Sequence, residues 1–204
     1  MKKKALIYVI MAFATVTAAY GQYVQPERDD TVRMYAKTPF DSVAAQAALA
    51  EGTGVIKGVA YTKPKTPLGY SAPLAKRIYA NKITVYLFPV TPYLLDYLKV
   101  KRKENPVKLK FAYIDPVAWK FKLTAVTNSD GEFTFPKMKP GKYYLEAILP
   151  WDEGNYYDAY TGSGYAGNAR ADYYERRYYT TSHYDKLDKF VELEEGETLS
   201  VKLK

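Results

Sequence analysis

The chain has 204 residues and a formal net charge of +8, with 48% hydrophobic and 25% charged residues, the balance of a chain that folds around a core. Cysteine is absent and histidine occurs once, as His183. Those counts exclude disulfide frameworks, thiolate zinc sites, iron–sulfur clusters, cysteine nucleophiles, lipoprotein acylation and any single-chain site built on two imidazoles.

Residues 1–21 read as a secretory signal peptide. Lys2, Lys3 and Lys4 form a charged start, Ala5 to Ala19 carries no charge, and Ala19-Tyr20-Gly21 places small residues for cleavage before Gln22. The uncharged run is shorter than the roughly 20 apolar residues of a spanning helix. An exported protein is expected, periplasmic, surface-associated or secreted, and not a lipoprotein. Nucleic acid is then not a partner.

Residues 22–51 are expected to form an N-terminal extension, unpatterned over 23–37, with one short helix. Thr38-Pro39-Phe40-Asp41 is a cap-plus-proline start, Phe40, Val43, Ala44, Ala47 and Ala48 fall on one stripe, and Gly52 is the stop. From Gly54 the period becomes alternating, and Val55–Tyr61 reads as a first strand. A Pro- and Lys-rich loop follows to about Arg77, then a strand over Ile83–Phe88. Thr91-Pro92 starts a helix through Leu94, Leu95 and Leu98 that ends in cations, as its dipole favours. Val107, Leu109 and Phe111 alternate as a strand would, and Asp115-Pro116 caps a short helix carrying Trp119.

Leu123–Thr127, the turn Asn128-Ser129-Asp130-Gly131 and Glu132–Phe135 read as a hairpin, because Asp-Gly supplies the positive φ such a turn needs. Pro140-Gly141 makes the next turn into a strand over Tyr143–Leu149. Phe190–Leu193, Glu194–Glu197 and Leu199–Leu203 read as a last hairpin. Six or seven short strands with Gly and Pro punctuation predict a mainly β chain, an antiparallel β-sandwich over 52–204.

The frame resembles the carboxypeptidase regulatory-like domain, a transthyretin-like sandwich of about seven strands. The resemblance rests most on Thr127-Asn128-Ser129-Asp130-Gly131-Glu132-Phe133-Thr134-Phe135 followed by Pro140-Gly141-Lys142-Tyr143. It covers about 52–62, 82–91, 123–149 and 189–204, and leaves 63–81, 92–122 and 150–188 as insertions. It implies a non-catalytic module and carries no catalytic residues. The expected role is envelope structure or binding of an envelope protein partner; the alternative is a carbohydrate-binding module.

That alternative falls on the insertion 151–184, where nine of the chain's 22 tyrosines lie. Trp151, Asp152, Asn155, Tyr156, Tyr157, Asp158, Tyr160 and Tyr165 are the candidate ligand-binding residues: flat rings stack on sugar faces, while acids, amides and phenols take hydroxyls. The competing expectation is that the tyrosines pack the loop down onto the sandwich, and a protein interface is a third. Asp152, Glu153, Asn155 and Asp158 could offer three or four oxygens to a hard cation but lack EF-hand spacing, so no metal and no cofactor is expected. A triad of His183 with Ser163 or Ser182 and Asp185 lacks a nucleophile elbow. Hydrolases of the transthyretin type need more histidines and a Tyr-Arg-Gly-Ser ending, and intradiol dioxygenases need two. No enzyme activity is expected. Segment 63–122 holds thirteen Lys and Arg against Asp96, Glu104 and Asp115, which allows peripheral contact with anionic lipid or polysaccharide.

Overall fold

The computed structural model describes residues 31–64 and 75–204, so the expected signal peptide and much of the Pro- and Lys-rich loop lie outside the described residues. The fold is mainly β. Strand β2 (Gly54–Thr62) is the centre of one sheet, with β10 (Thr198–Leu203) parallel on one side and β7 (Glu132–Met138) antiparallel on the other. The two-residue β3 (Ile78–Tyr79) pairs with its end. The second sheet runs β6 (Leu123–Val126), β4 (Thr84–Pro89), β8 (Gly141–Ala166), β9 (Ala169–Leu193), antiparallel throughout. Alternate side chains from both sheets meet in one buried cluster, including Ile56, Phe133, Phe135 and Leu203 from the first and Val85, Leu87, Tyr143 and Leu145 from the second.

Two expected hairpins do not pair. The turn at Asn128–Gly131 forms as read: Asn128 Oδ1 accepts from the Asp130 and Glu132 amides at 3.0 and 2.9 Å, and Gly131 has φ +76°. It nevertheless carries the chain from β6 in one sheet to β7 in the other. The Glu194–Glu197 turn likewise takes β9 across to β10, which lies parallel to β2. A turn signature specifies local backbone geometry; which strand becomes the neighbour is decided by burial of the apolar faces. Here the Gly131 carbonyl accepts from the Ala60 amide at 2.8 Å, tying the turn to β2.

The insertion 92–122 becomes a third layer. Helix α2 (Pro92–Lys101), capped by the Thr91 hydroxyl at 3.2 Å from the Leu94 amide, and α3 (Pro116–Lys120), capped by Asp115, lie against the outer face of the second sheet. Tyr93, Leu94, Tyr97, Leu98 and Ala118 bury against Phe88 and Tyr144. The expected strand through Val107 is instead a 3-10 turn over Pro106–Lys108, because Asn105 Oδ1 accepts from the Lys108 amide at 3.1 Å and Leu109 takes φ +49°. Only Lys110–Tyr113 (β5) remains extended.

The N-terminal segment also differs from expectation. Val32–Tyr35 is a strand (β1) parallel to β5 rather than an unpatterned extension. Its pairing is by backbone, and its side chains are mostly wet, so no alternation marked it. Helix α1 (Ser42–Ala48) starts at Asp41, whose Oδ1 accepts from the Ala44 amide at 3.0 Å, not at Thr38. The Thr38 amide instead donates to Asp96 Oδ2 at 2.9 Å, and Phe40 turns into the α2 layer against Tyr93. The buried face of α1 is therefore Ala45, with Leu49 against the core, and Val43 is exposed.

The largest departure concerns 150–188. Instead of a loop, β8 and β9 continue as one ladder to Ala166 and Ala169, joined at a tight turn where Gly167 has φ +60°. Core residues end at Leu149 and Leu187. The remainder is a two-stranded ribbon of roughly 50 Å at 3.3 Å per residue.

Candidate functional site

Strand geometry sends successive side chains of the ribbon to opposite faces, and the register fixes which meet. One face continues the core side of the sheet. It carries Trp151 opposite His183, then Glu153 opposite Thr181, Asn155 opposite Tyr179 and Tyr157 opposite Arg177. Trp151 and His183 stack, Glu153 Oε2 lies 3.1 Å from His183 Nε2, and Tyr157 and Tyr179 are 6.1 Å apart on the diagonal. Asn155 Nδ2 is 3.4 Å from Thr181 Oγ1.

The other face carries Asp152 with Ser182, Tyr156 with Tyr178, Asp158 with Arg176 and Tyr160 with Tyr174. The two tyrosine pairs have centroids 6.3 and 5.9 Å apart, and the ion pair sits on the rung between them, Arg176 Nε to Asp158 Oδ1 at 3.0 Å. Arg176 also lies over the Tyr156 ring at 4.2 Å. Its hydrogen bond to Asp158 pushes its pKa up. A register shift between Tyr160 and Gly162 re-aims the tip, where Ser163 meets Tyr160, Asp172 and Arg170 on one face. Tyr165, opposite Arg170 in that tip, is 75% exposed.

The candidate residues are thus brought onto one ribbon but divided between its faces. Trp151, Asn155 and Tyr157 share one; Asp152, Tyr156, Asp158 and Tyr160 share the other. The acidic cluster is divided the same way, with Glu153 and Asn155 turned from Asp152 and Asp158, so the four oxygens do not converge on one cation. Among the described residues, no group of three or more His, Asp or Glu side chains is placed to hold a metal. The triad candidates are dispersed as well: Ser182 bonds Asp152 on the face away from His183, and Ser163 lies at the tip.

The expectation that the tyrosines pack inward does not hold. All nine in the ribbon are at least half exposed, from 50% for Tyr179 to 78% for Tyr178. The ribbon is tied to the body at its foot. Thr62 Oγ1 and Trp151 Nε1 both donate to Asp185 Oδ2, the indole at 3.0 Å. On the opposite face of the second sheet, Tyr144 Oη donates to Asp188 at 2.7 Å and accepts from Lys186 at 2.9 Å, and Lys101 of α2 reaches Glu146 at 3.0 Å. Tyr144, Glu146, Lys186 and Asp188 therefore form one network on that face, and Lys101 clasps α2 to it. That clasp also occupies part of the basic segment: Lys101 is paired, and Lys122 lies over the Trp119 ring at 4.0 Å.

No protein-family model matches the chain, and no curated protein sequence does either. Among solved structures, the chain is similar to a proposed carbohydrate binding protein from Pseudomonas aeruginosa, with a TM-score of 0.52 and 21% identity over 81% of this chain and 97% of that one. At that identity the likeness is one of fold.

Proposed function

We propose that the chain is an exported, non-catalytic binding module on a transthyretin-like β-sandwich, and that its ribbon holds a glycan. The observation that carries this reading is the exposure of all nine ribbon tyrosines on a segment, 152–186, that contains no Leu, Ile, Val, Met or Phe. Protein-binding hot spots combine aromatics with desolvated pockets. A surface whose large apolar side chains are all rings, with carboxylates, an amide and guanidinia between them, fits a polyhydroxylated ligand better. Ring faces take the sugar's C–H groups, and the polar side chains take its hydroxyls.

The shared cluster of the two sheets supports the sandwich, and the description of the Pseudomonas aeruginosa neighbour leans toward sugar. Export rests on the charged start and uncharged run of residues 1–21. A second reading, an envelope protein partner, is favoured by the ribbon's two edges, which pair with no further strand among the described residues and offer backbone groups for strand addition.

A glycan array probed with the mature chain tests the first reading. Binding to a defined glycan set is expected, weakened roughly tenfold or more in either the Trp151→Ala/Tyr157→Ala or the Tyr156→Ala/Tyr160→Ala double variant, with unchanged circular dichroism. No glycan bound, together with one envelope protein co-purifying and released by the same variants, would establish the second reading instead.

A further inference from the structure

A recess of about 580 Å³ opens at the foot of the ribbon, lined by Tyr61, Thr62, Lys63, Arg77, Asp185 and Lys204 among others. Its charges are unbalanced. Among the described residues, Lys63, Arg77 and Lys204 make no ion pair within 4.0 Å, whereas the ammonium of Lys186, which also lines the recess, is engaged by Asp188 and Glu146. Asp185 brings one negative charge against these three, and its Oδ2 accepts from the Thr62 hydroxyl and the Trp151 indole. The Arg77 guanidinium lies 4.7 Å over the ring of Tyr61, which is 7% exposed and cannot retreat. A cation laid on a fixed ring is pre-oriented, and the guanidinium fork matches the geometry of a carboxylate, sulfate or phosphate.

The recess is continuous with the ribbon through one atom. Asp185 Oδ2 accepts from Trp151, the first ring of the face that runs on through Asn155 and Tyr157. Building on the glycan reading above, we infer that the ligand is an acidic polysaccharide whose charged group is bound between Lys63, Arg77 and Lys204 while its chain runs along the Trp151–Tyr157 face. Arg77 takes the oxyanion by paired N–H donors, the two lysines neutralise it, and the second oxygen of Asp185 accepts from a neighbouring sugar hydroxyl.

The test is binding of the mature chain, by isothermal titration and affinity electrophoresis, to polygalacturonate beside its carboxyl-reduced neutral form, and to dextran sulfate beside dextran. Phosphatidylglycerol vesicles serve as the lipid arm. At least one acidic polymer is expected to bind roughly tenfold or more tightly than its neutral counterpart at low salt, the preference shrinking as salt rises. The double variant Lys63→Gln/Arg77→Gln should lose that preference and keep the neutral affinity. Arg77→Lys should retain only part of it, since the charge remains and the fork does not.

Equal affinity for acidic and neutral polymers, or a preference that survives the double variant, overturns the subsite and leaves the ribbon reading standing. Binding of acidic polymer that is indifferent to Trp151→Ala/Tyr157→Ala overturns the path along that face and the subsite with it, and indifference to Tyr156→Ala/Tyr160→Ala as well sinks the ribbon reading as capture by charge alone. Vesicle binding that depends on Lys63 and Arg77, with no polymer bound, overturns the polysaccharide in favour of a lipid headgroup.

Discussion

Trp151 and His183 face each other across the first rung beyond the core, with ring centroids 4.2 Å apart and planes 15° from parallel. Both rings are held from the side, the indole by Asp185 at 3.0 Å and the imidazole by Glu153 at 3.1 Å. This rung is where a strand pair backed by a second sheet becomes a strand pair backed by solvent. Inside it, Leu149 and Leu187 are buried; outside it, among the described residues, the ribbon has only its own ladder and its cross-strand pairs. A free two-stranded ribbon is marginal in water, and each aromatic pair adds only about 0.2–1 kcal/mol.

Amide exchange should therefore divide β8 and β9 at this rung. Residues 152–182 are expected to exchange faster than 141–149 and 187–193, because opening the ribbon exposes no core. Trp151→Ala should speed exchange in the outer rungs further and lower global stability by only about 1 kcal/mol. Peptide-resolved hydrogen–deuterium exchange reads both. Uniform protection along β8 would mean that the outer ribbon has a support other than its own ladder.

The clasp around Tyr144 makes stability fall at both ends of the pH scale. Burial opposes ionisation of Asp188, yet hydrogen bonds from Tyr144 and Lys186 outweigh it and hold the carboxyl below its usual range. Its contribution is therefore present above the unfolded value of about 3.9 and is lost as pH falls through the lower folded value. The phenols act in the opposite sense. Burial, and then the charge of Glu146, pushes Tyr97 up to about 12, and burial with the Asp188 hydrogen bond raises Tyr144 as well. Their contribution is complete below the unfolded value of about 10 and is lost as pH rises from there through the folded values. Thermal unfolding midpoints followed across pH should show a plateau with a limb on each side. Asp188→Asn should flatten the acid limb and Tyr97→Phe the alkaline one. An acid limb unchanged by Asp188→Asn would show that the clasp does not couple to folding.

Helix caps and turns were legible in the sequence because one or two residues carry their physics. Thr91-Pro92, Asp115-Pro116 and Asn128–Gly131 all form where their side chains can satisfy backbone amides, whereas Thr38-Pro39 does not, since the Thr38 amide is taken by Asp96 and Asp41 caps the helix. Pairing was less legible, since the partner of β7 or β10 is chosen by faces far apart in sequence. The ribbon was not legible at all. A strand alternates in sequence when one face is buried and the other wet, and neither face of 152–182 is buried. Its tyrosines and threonines favour extended backbone, but without alternation they resemble a long loop. The candidate residues lie together on one ribbon because they are neighbours in sequence; their division between two faces follows from a register that composition does not encode. The basic segment that holds Lys63 and Arg77 was legible from charge alone, but the recess was not, because Asp185 and Lys204 are brought beside them only by the fold.

Two glycines should respond oppositely to the same substitution. Gly58 lies in β2, where an added Cβ would stand 2.4 Å from Cζ of Phe133 and 2.8 Å from the Val201 carbonyl oxygen. Phe133 is 3% exposed and is enclosed by the buried cluster, and Val201 belongs to the paired strand β10, so neither neighbour can move aside cheaply. Gly58→Ala should cost about 1–3 kcal/mol by overpacking, a fall of roughly 5 °C in Tm for a chain of this size. Gly154 lies in the ribbon opposite Thr180 with nothing within 4 Å of an added Cβ. Gly154→Ala should stay within about 0.5 kcal/mol of the parent, on the stabilising side, because it restricts the unfolded chain more than the folded one. Thermal unfolding of the two variants side by side decides the matter. A Gly58→Ala protein that melts with the parent would contradict the close approach of Phe133 to β2, and a destabilised Gly154→Ala would reveal a neighbour pressed on the ribbon.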